Sequence, residues 1–239
     1  MPYTLGGNYK VRGPHNIWRV IRVGSTFERT GAMKFLLKRL NVPFSLRIIA
    51  RIIGLPFKPL GHRGDPLQPP LLRAITALGP AYIKFGQLLS TRPDIVGDEI
   101  ASELLVLQDS LPAFKKKTAI DIIEAELGAK ISETFVSLSE PKAAASLAQV
   151  HKAVLKSDGR EVAVKVLRPG IEKAFLKDID SFFFMARLSE VLAPSIRRLK
   201  PLKVIEHFKG IVLEELDLRM ELAAAAEFKS NTENDEEFT

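Results

Sequence analysis

Residues 142–167 read KAAASLAQVHKAVLKSDGREVAVKVL, and this stretch decides the fold. Two runs rich in β-forming residues, roughly 147–155 and 161–167, flank Ser157-Asp158-Gly159, a turn signal of the Asp-Gly kind, so a β-hairpin is predicted. Alternation along the second run sends Val162, Val164 and Val166 to one face and Ala163, Lys165 and Leu167 to the other. A lysine placed among small and apolar neighbours needs an anionic partner, whereas one on an edge strand simply reaches solvent. Ahead of the first run, Ala143-Ala144-Ala145-Ser146 offers side chains small enough for backbone amides to approach a phosphate. Alanine takes positive φ less cheaply than glycine, so such a loop differs in shape from a glycine-rich one. The ordinary reading of the same residues is a tightly packed start to the strand.

Outside the hairpin the pattern is helical. Residues 71–90, 94–109 and 117–128 read as three helices, the second introduced by Pro93-Asp94 and the third by Pro112 with Thr118 near its start. Residues 171–192 and 203–229 are helical in composition, and the acidic tail NTENDEEFT reads as frayed. Upstream, Pro56, Pro59, Gly61, Gly64, Pro66, Pro69 and Pro70 crowd a linker at about 55–70. The fold class is therefore α+β and mostly helical, divided into 1–69, 70–140 and 141–239.

The chain has 239 residues, 46% of them hydrophobic, which is enough for a sizeable core. It holds no cysteine, which excludes disulfides and thiolate metal sites and fits a reducing cytosolic setting. The opening MPYTLGGNYKVRG lacks the basic and apolar regions of a secretory signal, and no 18-residue uncharged apolar stretch is present, so no segment is expected to span a membrane. Of the net charge of +7, residues 1–64 carry +11, from 12 Lys/Arg against Glu28 alone, which leaves −4 for the remainder. Within this leader, 33–54 mixes apolar residues with Lys34, Lys38, Arg39, Arg47 and Arg51, and Pro43 divides it into two short helices. A cationic amphipathic pair suits an anionic membrane surface, and it equally suits a hairpin packed on the protein with a solvated basic face. Few aromatics are placed for base stacking, so nucleic acid is not an expected partner.

Two more constellations carry chemistry. In Lys84-Phe85-Gly86-Gln87, Lys84 and Gln87 are i, i+3 neighbours on a helix, while Gly86 lets a ligand or another backbone come close at about 1 kcal/mol of helix propensity. Helix packing at Gly86 with two solvated polar residues is the plain alternative. In Glu214-Glu215-Leu216-Asp217-Leu218-Arg219-Met220-Glu221, the residues Glu214, Asp217 and Glu221 are predicted to share a helical face, with Glu215 roughly 100° around from Glu214. These carboxylates suit pairing with Lys165 and Lys84 or holding a metal, and a solvated acidic face explains them as well.

Taken in this order, the pieces closely resemble the UbiB/ADCK family of atypical kinase-like proteins over about residues 70–235. The run from Gly79 to Asp109, GPAYIKFGQLLSTRPDIVGDEIASELLVLQD, is similar to the family's KxGQ helix and its continuation, with Phe85 at the variable position. AAASLAQVH resembles the family's replacement for the kinase Gly-rich loop, VAVKV its phosphate-binding strand, and Glu215-Leu216-Asp217 its ExD motif. The resemblance implies a protein-kinase-like small lobe behind a helical KxGQ extension. It implies that Ala143, Ala144, Ala145, Ser146 and Lys165 bind ATP, and that Lys165 pairs with Glu221, although the sequence by itself leaves Glu215 as the other choice. Lys84 and Gln87 would reach over the nucleotide cleft, with Lys84 pairing to Glu215. The extension covers the place where a kinase binds its peptide, so ATPase or small-molecule kinase activity in ubiquinone (coenzyme Q) biosynthesis is implied rather than protein phosphorylation.

After Glu221 no catalytic loop of the D-x-x-x-x-N kind and no Asp-Phe-Gly occurs. No catalytic residue and no metal ligand are therefore expected in this stretch, and the Mg ligands that accompany ATP are expected in a half carried elsewhere, possible as a separate chain bearing the large lobe. Further expected partners are ubiquinone-pathway proteins or lipid precursors, with the protein cytoplasmic and peripheral to the inner membrane through 33–54. The competing expectation is a non-catalytic membrane-surface interaction module or a gene remnant.

Overall fold

The computed structural model describes residues 15–39, 55–109, 112–192, 194–233 and 235. The second half of the predicted amphipathic pair, and Pro43 that divides it, lie outside the described residues. The chain forms two compact units, one of Met1–Gln108 with Ala174–Ile205, the other of Asp109–Lys173 with Glu206–Thr239.

The first unit is helical. Helices α1 (His15–Thr30) and α2 (Ala32–Arg39) are followed by a 3-10 helix at Leu55–Leu60 and then by α3 (Pro70–Leu78), α4 (Pro80–Ser90), α5 (Pro93–Val96) and α6 (Asp98–Leu104). The sequence reads 71–90 as one helix, but Gly79 at φ +105 and Pro80, which has no amide hydrogen, divide it. Gly97 at φ +85 splits the next segment in the same way. The expected linker is partly ordered: Arg29 donates to the carbonyls of Pro59 and Gly61 at 2.8 Å each, and the amide of His62 donates to Thr26 Oγ1. Gly61 lies so close to α1 that a Cβ there would stand 2.3 Å from the Ser25 carbonyl oxygen.

The second unit holds a three-stranded antiparallel sheet in the order β1 (Phe135–Ala144), β2 (Ala148–Leu155), β3 (Glu161–Leu167). Its β2–β3 turn is the predicted Asp-Gly turn, with Gly159 at φ +73 and Asp158 accepting from the Arg160 amide. The first strand is an addition to the expected hairpin. Its pairing with β2 is irregular on both sides of Pro141, which fits an edge strand, where a proline without an amide hydrogen is tolerated. One face of the sheet packs on α7 (Lys116–Leu127), where Ala119, Ile123 and Val166 form a buried cluster joined by Phe114, Ile122, Phe135, Leu138 and Val164. After α8 (Ile131–Thr134) and the sheet come α9 (Ile171–Leu192), α10 (Pro201–Leu216) and α11 (Leu218–Thr232). The predicted helix over 203–229 is thus two helices. Asp217, at φ −92 and ψ 86, interrupts it and caps α11 by accepting from the Arg219 amide. The helical face expected to unite Glu214, Asp217 and Glu221 is broken there.

Within the first unit an ion pair ties α1 to α9, with Arg19 Nη1 donating to Asp178 Oδ1 at 2.8 Å. Burial pushes the Asp178 carboxyl above its ordinary value of 3.8, against the opposing pull of Arg19. The folded state therefore holds this proton more tightly than the unfolded chain does. The carboxyl's stabilising contribution is complete below the ordinary value and is lost as pH rises through the raised one. Asp178→Asn removes the titration, so the urea-unfolding free energy of wild type minus that of the variant should fall as pH climbs from the ordinary carboxylate value. A difference that grows instead would mean that Arg19 dominates.

Candidate functional site

The β-strand alternation places Lys165 as the sequence predicts. Val164 and Val166 turn to α7, while Lys165 stands on the opposite face of β3, across from Val150 and near Leu167 and its buried neighbour Ala148. On that face Lys165 Nζ donates to Glu221 Oε2 from the first turn of α11. Of the two glutamates that the sequence offers, Glu221 is the partner. The pair is less desolvated than expected, since the side chains are 37% and 58% exposed. Screening by water limits such a pair to about 0–1 kcal/mol.

The alanine-rich segment is the turn between β1 and β2. Ala143 and Ala144 are the last residues of β1, paired with Val150 and Gln149, so only Ala145, Ser146 and Leu147 form the loop itself. The Ala145 amide donates to the Ala148 carbonyl at 2.8 Å, closing it. From the end of β3, the Arg168 amide donates to Leu147 O at 2.8 Å, and its guanidinium donates to Ala145 O and Pro112 O. That guanidinium also stands 5.9 Å from the centre of the Phe114 ring. Burial pulls Arg168 below its ordinary value, which for arginine leaves the charge in place.

Behind the loop runs a buried polar relay that sequence reasoning missed. Gln149 and His151 are 0% exposed. The Phe114 amide donates to Gln149 Oε1 at 2.9 Å, which commits Gln149 Nε2 to donate to His151 Nε2. His151 then carries its hydrogen on Nδ1, which donates to the Ser139 carbonyl in the irregular part of β1. The signal for this was present: Gln149 and His151 stand at i, i+2 in register with Val166 and Val164, on the face that packs on the core. Arg168 had no such signal, because its partners are backbone carbonyls far away in sequence.

The remaining predicted residues are on α4 and around the junction of α10 and α11. Gln87, on α4, donates to the Leu107 carbonyl at 2.8 Å, and a Cβ on Gly86 would stand 2.5 Å from Leu107 Cδ1, so this part of KxGQ packs α4 on the 3-10 turn Leu105–Asp109. Phe182 meets Tyr82 edge-on, with ring centres 4.7 Å apart, and Phe85 at a tilt, at 5.1 Å. Lys84 is on α4, and Glu215 is the penultimate residue of α10. Asp217 makes a two-point pair with Arg219, at 2.8 and 2.7 Å, and that guanidinium holds its carboxyl below the ordinary range. Among the described residues no three His, Asp or Glu side chains gather where they could hold a metal ion.

Residues 106–239 match the family profile of the ABC1 atypical kinase-like domain. Among curated proteins, the "Probable protein kinase UbiB" of Cellvibrio japonicus is 44% identical over 195 residues, covering 80% of this chain and 34% of that protein. The protein of the same name from Pseudomonas paraeruginosa is 41% identical over 218 residues, covering 90% of this chain and 40% of its own length. A third, from Aliivibrio fischeri, is 44% identical over 183 residues, with 76% and 32% covered. The chain spans about a third to two fifths of the length of these relatives.

The relay generates a direct expectation. Gln149→Leu keeps the volume but takes the partner from the part-buried Phe114 amide and from the fully buried His151 Nε2, the latter at about 1–3 kcal/mol. The chemical-denaturation midpoint of the variant should drop accordingly, and an unchanged midpoint would mean that water reaches these groups.

Proposed function

The chain belongs to the ABC1 atypical kinase-like family, and on that premise we propose that its sheet unit binds ATP in the manner of a kinase small lobe, serving ubiquinone biosynthesis. The observation that carries this reading is Lys165 on β3, paired with a helical carboxylate, Glu221, on the face of a hairpin whose β1–β2 turn is alanine-rich. In such a site the ammonium meets the phosphates, the turn at Ala145–Leu147 covers them, and the small side chains of Ala148, Val150 and Ala163 leave space for the base. The activity proposed for this stretch is nucleotide binding through Lys165 and the alanine-rich turn.

A second and compatible reading, a peripheral position on the cytoplasmic side of an anionic inner-membrane surface, is favoured by the surface of α1 and α2. Ile17 and Trp18 are 52% and 63% exposed, Arg22 is exposed one turn beyond Trp18, and Lys34 and Lys38 are exposed on α2. An exposed tryptophan with basic residues around it suits the headgroup region of a bilayer. No described helix is long and apolar enough to cross a membrane.

ATP with Mg at about 100 times its dissociation constant should stabilise the chain by roughly 2.7 kcal/mol, read as a raised thermal midpoint. Lys165→Ala should abolish the shift while leaving the ligand-free midpoint near that of wild type, since the lost pair is solvent-screened. An unchanged shift in the variant would remove Lys165 from the site. For the second reading, the chain should sediment with vesicles containing phosphatidylglycerol and not with pure phosphatidylcholine, and Trp18→Ala combined with Arg22→Glu should release it. Equal sedimentation with both vesicles would count against that reading.

A further inference from the structure

A loop that binds phosphate must offer N–H groups and keep its carbonyl oxygens turned elsewhere, because the negative end of a peptide dipole repels an anion. Glycine achieves this by adopting backbone angles that alanine reaches only with strain. In the turn between β1 and β2 the same end is reached from outside the loop. The carbonyls of Ala145 and Leu147 are both engaged by one residue, Arg168, through its guanidinium at 3.0 and 3.2 Å and through its own amide at 2.8 Å. The guanidinium makes a further bond, at 2.9 Å, to Pro112 O, and it stands over the Phe114 ring. Phe114 is in turn fixed through its amide to the buried Gln149 at the root of the loop. Ser146 and Leu147 are buried in this arrangement, so the turn is packed and not a free flap.

We propose that Arg168 is the positioning residue of the alanine-rich loop, which sets the protein's preference for nucleotides with a polyphosphate chain by holding the loop's carbonyl oxygens away from it. This inference rests on the nucleotide-binding reading above and adds to it the residue that shapes the loop. Arg168 acts on the loop, and through the loop on the β- and γ-phosphates, so its contribution grows with the number of phosphates and is absent for a ligand that stops at the α-phosphate. Lysine is a poor substitute, because a single ammonium lacks the planar fork that reaches Ala145 and Pro112 together.

The test compares affinities for ATP and AMP, by calorimetric titration of the full chain, in wild type, Arg168→Ala, Arg168→Lys and Lys165→Ala. Loss of charge-assisted bonds to the loop should weaken ATP binding by about 10-fold or more in Arg168→Ala. AMP binding should stay near wild type, so the ATP-to-AMP ratio collapses, and Arg168→Lys should fall between the two. General destabilisation would lower both affinities together and leave the ratio intact, which would overturn the proposal. If Arg168→Ala does not fold, the ratio in Arg168→Lys decides, and an unchanged ratio there has the same force. A wild-type chain that binds neither nucleotide would sink the nucleotide reading itself. Retained binding with an unchanged ratio in the Arg168 variants and loss in Lys165→Ala would sink only the role of Arg168.

Discussion

A glutamine and a histidine buried without exposure on the core face of a strand impose a strict condition on everything around them: each of their polar atoms must find a partner inside the protein. The amide hydrogen of Phe114 can only donate, and this orients Gln149; Gln149 in turn orients His151, and the Ser139 carbonyl accepts from it. One chain of donors therefore joins the segment before α7, the middle strand and the irregular edge strand. The alanine-rich turn ends at Ala148, the neighbour of Gln149, so its root is fixed by the relay. Replacing the relay by apolar side chains would keep the sheet packed on α7 but would remove the bond that joins the 112–114 segment to β2, leaving Arg168 to hold that segment through Pro112 O.

Strand parity then divides the labour within the sheet. Positions in register with Gln149 and His151 pack on α7, and those in register with Val150 face the other way, which is where Lys165 stands. A one-residue slip would exchange the faces and bury the ammonium against Ala119 and Ile123, a costly result that fixes the register. The alternation that separates Lys165 from Val164 and Val166 was legible in the sequence, but which face packs on the core was not, because Ala163 and Leu167 beside the lysine read equally as an interior face; the contact with α7 decides it. The Asp-Gly turn was legible too, because glycine at positive φ is what that turn requires.

Other features were not legible, and the reasons are local. The strand Phe135–Ala144 has Pro141 and Lys142 inside it and a broken register, so its sequence shows no clean alternation; it is a strand because β2 offers a ladder to pair with, not because of its own propensity. The helix breaks at Gly79-Pro80 and at Asp217 were hidden by apolar periodicity that continues across them. At Asp217 the side chain competes for the Arg219 amide and binds its guanidinium, which favours a cap over a helix interior and separates Glu214 from Glu221. Gly86 packs against Leu107, one of the two readings its sequence offered, while the bond from Gln87 to the Leu107 carbonyl joins residues twenty apart and had no local signal.

The energetics of the lysine pair follow from the same division. Lys165 is held by a ladder on β3, whereas Glu221 sits on α11, none of whose residues is buried. A partner on an exposed helix, itself 58% exposed, binds the ammonium only as strongly as a solvent-screened contact allows. A polyphosphate brings several negative charges to the same ammonium and can therefore compete for it or share it with the carboxylate. The strand fixes where the positive charge is, and the weakness of the carboxylate contact keeps that charge available. Under the nucleotide reading, the half-exposed pair is thus better suited to the site than the fully desolvated pair expected from sequence, because a buried pair would have to be broken at a cost of several kcal/mol before a phosphate could reach the lysine.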